Sequence, residues 1–132
     1  MTIPRPFFWP SLRFAGNILL LLVVLMPTSA WAHAYLAKAV PAQRAVLFAP
    51  PERVQLWFNE RLEPAFSSLS VTDAAGTAVH QGDMQVAADD PKQLTVGLKL
   101  LTAGVYTVKF RVLSVDGHVV SNQFTFTVRA GR

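Results

Sequence analysis

From residue 33 onward, apolar residues recur at alternate positions in short runs rich in β-branched and aromatic types, which is the spacing of strands half-buried against a core. The longest run, Val105 to Val112, interleaves Val, Thr, Lys and Arg with Tyr, Val, Phe and Val, so one face is apolar and the other largely polar. Phe124 to Val128 repeats the alternation. Shorter runs span Tyr35 to Val40, Val54 to Phe58, Leu69 to Thr72, Thr77 to His80 and Gln93 to Val96, and turn-forming residues separate them: Pro50-Pro51, Asp73-Ala74-Ala75-Gly76, Asp89-Asp90-Pro91 and Gly104. The Asp73 to Gly76 turn predicts a hairpin between its flanking runs. Seven strands in roughly one hundred residues predict an all-β fold, a single seven-stranded Greek-key β-sandwich. No segment carries the period of a helix longer than a turn or two; Pro41 to Phe48 has room for one short turn.

Upstream of residue 33 the pattern changes. Arg5 and Arg13 precede the largely apolar stretch Phe14 to Met26, followed by Pro27 and the small-residue sequence Thr28-Ser29-Ala30-Trp31-Ala32. A stretch of thirteen residues is short of the roughly 20 that span a bilayer core as a helix, and Ala30-Trp31-Ala32 has the A-x-A form of a signal-peptidase site. Residues 1–32 are therefore read as a secretory signal peptide and 33–132 as one mature domain, soluble, monomeric and exported to the periplasm.

Composition narrows the chemistry. The chain has twelve Lys and Arg against eight Asp and Glu; removal of the leader leaves ten against eight, and the basic residues lie scattered from Lys38 to Arg132. A nucleic-acid partner is not expected, because no basic stripe follows a phosphate backbone. The absence of cysteine excludes disulfides, thiolate zinc sites, iron–sulfur clusters and cysteine catalysis. There is no G-x-S-x-G elbow and no phosphate-cradling glycine loop, so nothing supports ordinary hydrolytic chemistry.

Cleavage after Ala32 would make His33 the first residue. An N-terminal histidine offers a metal its α-amine and its imidazole together, two nitrogens from one residue. A second candidate cluster is Asp116-Gly117-His118, between the two strongest strand patterns, where glycine lets the chain turn tightly enough for a carboxylate and an imidazole to converge. Amine, imidazole, carboxylate and imidazole make an N₃O set suited to Cu(II), with zinc the competing metal. Glu60, just after the Val54 to Phe58 run, is a candidate further oxygen ligand or a partner for a ligand imidazole; a salt bridge with Arg61 or a solvated loop carboxylate is the alternative. His80 has no histidine near it in sequence and is read as a surface residue. Trp57, Phe58, Phe110, Phe124 and Phe126 are read mainly as packing residues.

These residues resemble the CopC family of periplasmic copper-binding proteins of bacterial copper resistance and homeostasis. The resemblance spans the mature chain: a leader ending just before His33; Ala39-Val40-Pro41-Ala42; Val54-Gln55-Leu56-Trp57-Phe58-Asn59-Glu60-Arg61-Leu62; Leu101-Thr102-Ala103-Gly104-Val105-Tyr106-Thr107-Val108; and Ser114-Val115-Asp116-Gly117-His118 before the final strand. It implies a cupredoxin-like or immunoglobulin-like sandwich. It also implies one Cu(II) per chain on the His33 amine and imidazole, Asp116 and His118, with Glu60 where some relatives carry a further carboxylate. The implied role is a non-enzymatic carrier or sequestering protein, with delivery to a CopD-like inner-membrane protein. Founding members carry a methionine-rich Cu(I) loop, whereas Met84 is the single methionine after residue 32, so no Cu(I) site is expected. The histidine brace of lytic polysaccharide monooxygenases is the competing resemblance and shares only the paired histidines.

Overall fold

The computed structural model describes residues 2–8 and 33–131. The chain divides into two units, Met1–Ala32 and His33–Arg132. The apolar stretch and cleavage motif assigned to the leader lie outside the described residues, and all the described secondary structure belongs to the second unit.

That unit is a sandwich of two four-stranded sheets. One sheet has the order β1 (Leu36–Val40), β3 (Arg53–Phe58), β6 (Asp90–Gly97) and β5 (Gln85–Ala87); the other has β2 (Val46–Leu47), β8 (Val119–Val128), β7 (Gly104–Leu113) and β4 (Ser68–Thr72). All neighbours pair antiparallel except β2 with β8. A single 3₁₀ turn, Pro64–Phe66, joins β3 to β4 across the two sheets.

The alternation read from the sequence is the alternation that is buried. Val54, Leu56 and Phe58 of β3 face Tyr106, Val108, Phe110 and Val112 of β7 and Phe124, Phe126 and Val128 of β8 within one core. Two aromatic contacts organise it. Phe58 meets Phe110 edge to face between the sheets, with ring centroids 5.5 Å apart, and Tyr106 stacks on its cross-strand partner Phe126 at the same separation. Both lie in the range where aromatic pairs add to simple area burial. Trp57 points away from the core and carries Lys38 over its ring at 4.8 Å, while Phe58 and Phe110 bring the core up to the ends of the strands that carry the candidate site.

Eight strands among the described residues replace the expected seven. Thr77 to His80 is not a strand: it touches its neighbours through the isolated bridges Thr72–Ala78 and His80–Leu98. Two short strands, β2 and β5, take the remaining edges. The strand expected over Gln93 to Val96 begins earlier, at Asp90, because the β5–β6 reversal is made by Ala88 and Asp89. Pro91 is then the second residue of β6, near a strand start, where a missing N–H is tolerated.

Candidate metal centre

The β7–β8 hairpin is what joins Asp116 to His118. Leu113 pairs with Val119, and the intervening loop is closed by the Ser114 N–H donating to the His118 carbonyl and the Gly117 N–H donating to the Ser114 carbonyl, both at 2.9 Å. Gly117 sits at φ +92°, a left-handed conformation that glycine adopts without the penalty a Cβ brings.

Ser114 lies beneath this loop, 1% exposed. Its Oγ donates to Asp116 Oδ1 and accepts from the His118 backbone N–H at 3.1 Å. The same Oδ1 lies 3.3 Å from that N–H and 3.0 Å from His118 Nδ1. These contacts hold the Asp116 carboxyl below the usual carboxylate range, the hydrogen bond from Ser114 contributing most and that from His118 next, because each favours the ionised form. A carboxylate beside Nδ1 also favours the tautomer that protonates that nitrogen and presents Nε2 as the donor to a metal.

His33 approaches from the other sheet. Its ring and that of His118 lie 6.1 Å apart between centroids, inclined at 74°. Two imidazoles sharing one metal at nitrogen–metal distances of about 2.0 Å have centroids roughly 4.5 to 6.4 Å apart, so the observed spacing fits a common ion. The backbone leading from His33 is held by Asn59, the residue after β3. Asn59 Oδ1 accepts from the Tyr35 N–H at 2.6 Å, Asn59 Nδ2 donates to the His33 carbonyl at 3.1 Å, and the Asn59 N–H donates to the Tyr35 carbonyl at 3.2 Å.

Of the four residues singled out in the sequence, the structure thus brings Asp116 against His118 and His33 near His118. Glu60 stands apart: its half-buried carboxylate makes no hydrogen bond or ion pair among the described residues, and the alternative salt bridge to Arg61 is not formed. Its segment still borders the loop, since the Arg61 carbonyl accepts from the Val115 N–H at 2.8 Å and Leu62 bridges to Ser114. No three imidazole or carboxylate side chains among the described residues form a ready-made cage; His33, Asp116 and His118 are brought together pairwise. His80 is half-buried rather than a surface residue. Its Nδ1 lies 3.1 Å from both the nitrogen and the carbonyl oxygen of Val71, which gives it a structural place at the margin of β4.

Sequence reasoning passed over Ser114 and Asn59 as site residues, although both stand in the segments quoted for the resemblance. The one available signal was position: a small polar residue directly at a strand end, next to a candidate ligand.

The chain is thus a β-sandwich that gathers two imidazoles and a carboxylate at one end. The profile of the CopC domain matches residues 36–129, and the chain belongs to that family. It is 37% identical over 120 residues to protein YobA of Escherichia coli K12, covering 90% of this chain and 95% of YobA. It is 34% identical over 112 residues to the copper transport protein CutJ of Bacillus subtilis, covering 84% of this chain but 21% of CutJ. Among solved structures, CopC from Methylosinus trichosporium OB3b superposes with a TM-score of 0.70 at 41% identity, covering 76% of this chain and 97% of that one. PcoC, a methionine-rich copper resistance protein from Escherichia coli, superposes with a TM-score of 0.64 at 32% identity, covering 74% and 100%.

Proposed function

We propose that cleavage after Ala32 releases a periplasmic Cu(II) carrier of copper resistance and homeostasis. It binds one ion through the His33 α-amine and imidazole, the His118 imidazole and the Asp116 carboxylate. The observation that carries this reading is the 6.1 Å approach of the two imidazoles, with the Asp116 carboxylate 3.0 Å from His118 Nδ1. A set of three nitrogens and one oxygen suits the tetragonal preference of Cu(II), the tightest-binding ion of the divalent series. Family membership and the copper-related names of CutJ, CopC and PcoC support the same metal.

Asp116 Oδ1 is taken up by Ser114 and His118, so Oδ2 is the atom offered to copper. Glu60 stands outside this four-donor set as a reserve carboxylate, on the segment whose Arg61 carbonyl accepts from the Val115 N–H. Met84 is the single methionine after residue 32 and packs against the core, so no thioether cluster for Cu(I) accompanies the site. Such a donor set suits a carrier rather than an oxidative enzyme, because Asp116 takes a position where oxygen would have to bind.

The proposed recipient is a CopD-like inner-membrane protein. In CutJ, the segment related to this chain belongs to a much longer transport protein. Tyr35, Val115 and Val119, which flank the ligand residues in sequence, are each at least half exposed, an apolar rim suited to transient docking.

The test compares the mature chain with one carrying a single extra glycine before His33, which converts the amine into an amide. Cu(II) affinity is expected to fall steeply in the extended chain. His118→Ala is expected to lower affinity by more than the roughly 10–100-fold typical of outer-shell partners, with His80→Ala unchanged. An extended chain that binds as tightly as the mature one contradicts the amine ligand, and equal losses at the two histidines contradict the assignment of His118.

A further inference from the structure

We propose that Asn59 is the positioning residue of this site: its carboxamide ties the backbone of His33 to Tyr35 onto the end of β3 and so holds the His33 amine and imidazole beside His118. The inference rests on the copper reading above and adds to it the device that pre-forms the site.

The ladder between β1 and β3 ends at Leu36 opposite Phe58. Beyond that pair, a free chain end has one more backbone contact, from the Asn59 N–H to the Tyr35 carbonyl. A first residue tethered only there would swing, and its two nitrogens would be ordered at the moment of binding, at a cost in affinity. The Asn59 side chain prevents this by acting as an additional peptide group. Its Oδ1 accepts from the Tyr35 N–H at 2.6 Å and its Nδ2 donates to the His33 carbonyl at 3.1 Å. One planar carboxamide thus spans both sides of Ala34.

The choice of residue follows from that geometry. A carboxamide supplies an acceptor and a donor in one plane, at the reach of a single methylene. Aspartate keeps the acceptor for Tyr35 but sets an oxygen against the His33 carbonyl, leucine keeps the shape and loses both bonds, and serine keeps a donor and an acceptor on one atom that reaches less far, so it spans the two groups less well. Asn59 touches no metal ligand atom; it acts on the ligand residue through the backbone carbonyl.

The experiment uses the mature chain beginning at His33, with Asn59→Leu and Asn59→Ser. In the metal-free proteins, hydrogen exchange at the Tyr35 amide is expected to quicken in the order wild type, Ser, Leu, while the amides of Leu56 and Val108 in the core keep their protection. Cu(II) affinity, measured by chelator competition, is expected to fall in the same order, by about ten-fold for Asn59→Leu, which is the loss of two modest hydrogen bonds. The electron paramagnetic resonance spectrum of the Leu variant is expected to split into more than one copper species, which a purely structural loss of stability would not produce. Affinity and spectrum unchanged in the variants overturn the proposal. Should the Leu variant fail to fold, the Ser variant decides by the same comparison. Failure of wild type itself to take up one equivalent of Cu(II) overturns the underlying copper reading instead, and Tyr35 exchange then still reports whether Asn59 orders the segment.

Discussion

Ser114→Ala is the substitution that separates the support of the site from its ligands. The hydroxyl is 1% exposed and has partners on both sides, Asp116 Oδ1 and the His118 N–H. Neither partner is stranded by its removal: the Asp116 side chain is 40% exposed and can be hydrated, and the His118 N–H keeps Asp116 Oδ1 at 3.3 Å. The expected loss is therefore the net worth of the Ser114 contacts, about 1–2 kcal/mol, rather than the larger penalty of a buried unpaired group. In a domain of this size that corresponds to a fall of roughly 5–15 °C in melting temperature. Urea denaturation of the metal-free mature chain at pH 7 measures it. The pH dependence has a definite sign. The folded Asp116 carboxyl titrates below its ordinary value, so its stabilisation is complete above the unfolded carboxylate range, about pH 3.9, and is lost as pH falls through the folded value. Removing Ser114 removes the largest cause of that depression, so the gap between wild type and variant should narrow on acidification below about pH 4. A difference under about 0.3 kcal/mol at pH 7, below the worth of even one ordinary hydrogen bond, would refute the account of the loop, and so would one indifferent to acid, because the Ser114 bond favours the ionised carboxylate.

Other consequences can be checked on the same preparation. Phe126→Ala removes a fully buried ring stacked on Tyr106 and should cost about 3–5 kcal/mol in denaturant titration. Gly117→Ala places a Cβ at φ +92°; the space is open, so the cost is conformational, about 1–3 kcal/mol, and the displaced loop should weaken Cu(II) binding in a chelator competition. Met84→Leu should leave Cu(II) binding unchanged, and neither protein should retain Cu(I) against a Cu(I)-specific chelator. Glu60→Gln should alter Cu(II) affinity less than Asp116→Asn, because Asp116 alone of the two contacts a candidate ligand ring.

Strands whose two faces differ in polarity were legible from the sequence. The alternation in Val105 to Val112 and Phe124 to Val128 reports a face turned to the core, and both runs are buried where the pattern placed them. The short edges were not legible. Val46-Leu47 has too few residues for any period to show, and its parallel pairing with β8 is decided by distant chain geometry. Thr77 to His80 alternates like a strand, yet its bridges are split between Thr72 on one side and Leu98 on the other, so no continuous ladder forms. At the site, Asp116 and His118 could be paired from spacing alone, because one tight loop joins them. The nearness of His33 to His118 depends on two sheets meeting, and sequence suggested it only through chemistry and resemblance. Ser114 and Asn59 were invisible for a further reason: a polar residue at a strand end carries no periodic signal, and its role appears only when the backbone atoms it reaches have been placed.

The most direct test of the copper account is a Cu(II) titration of the mature chain beginning at His33, followed by electron paramagnetic resonance in the presence of a competing chelator. The account predicts saturation at one equivalent in a single tetragonal, nitrogen-rich species that is lost in His118→Ala and retained in His80→Ala. Weak or non-stoichiometric uptake, or a spectrum indifferent to His118, would contradict it.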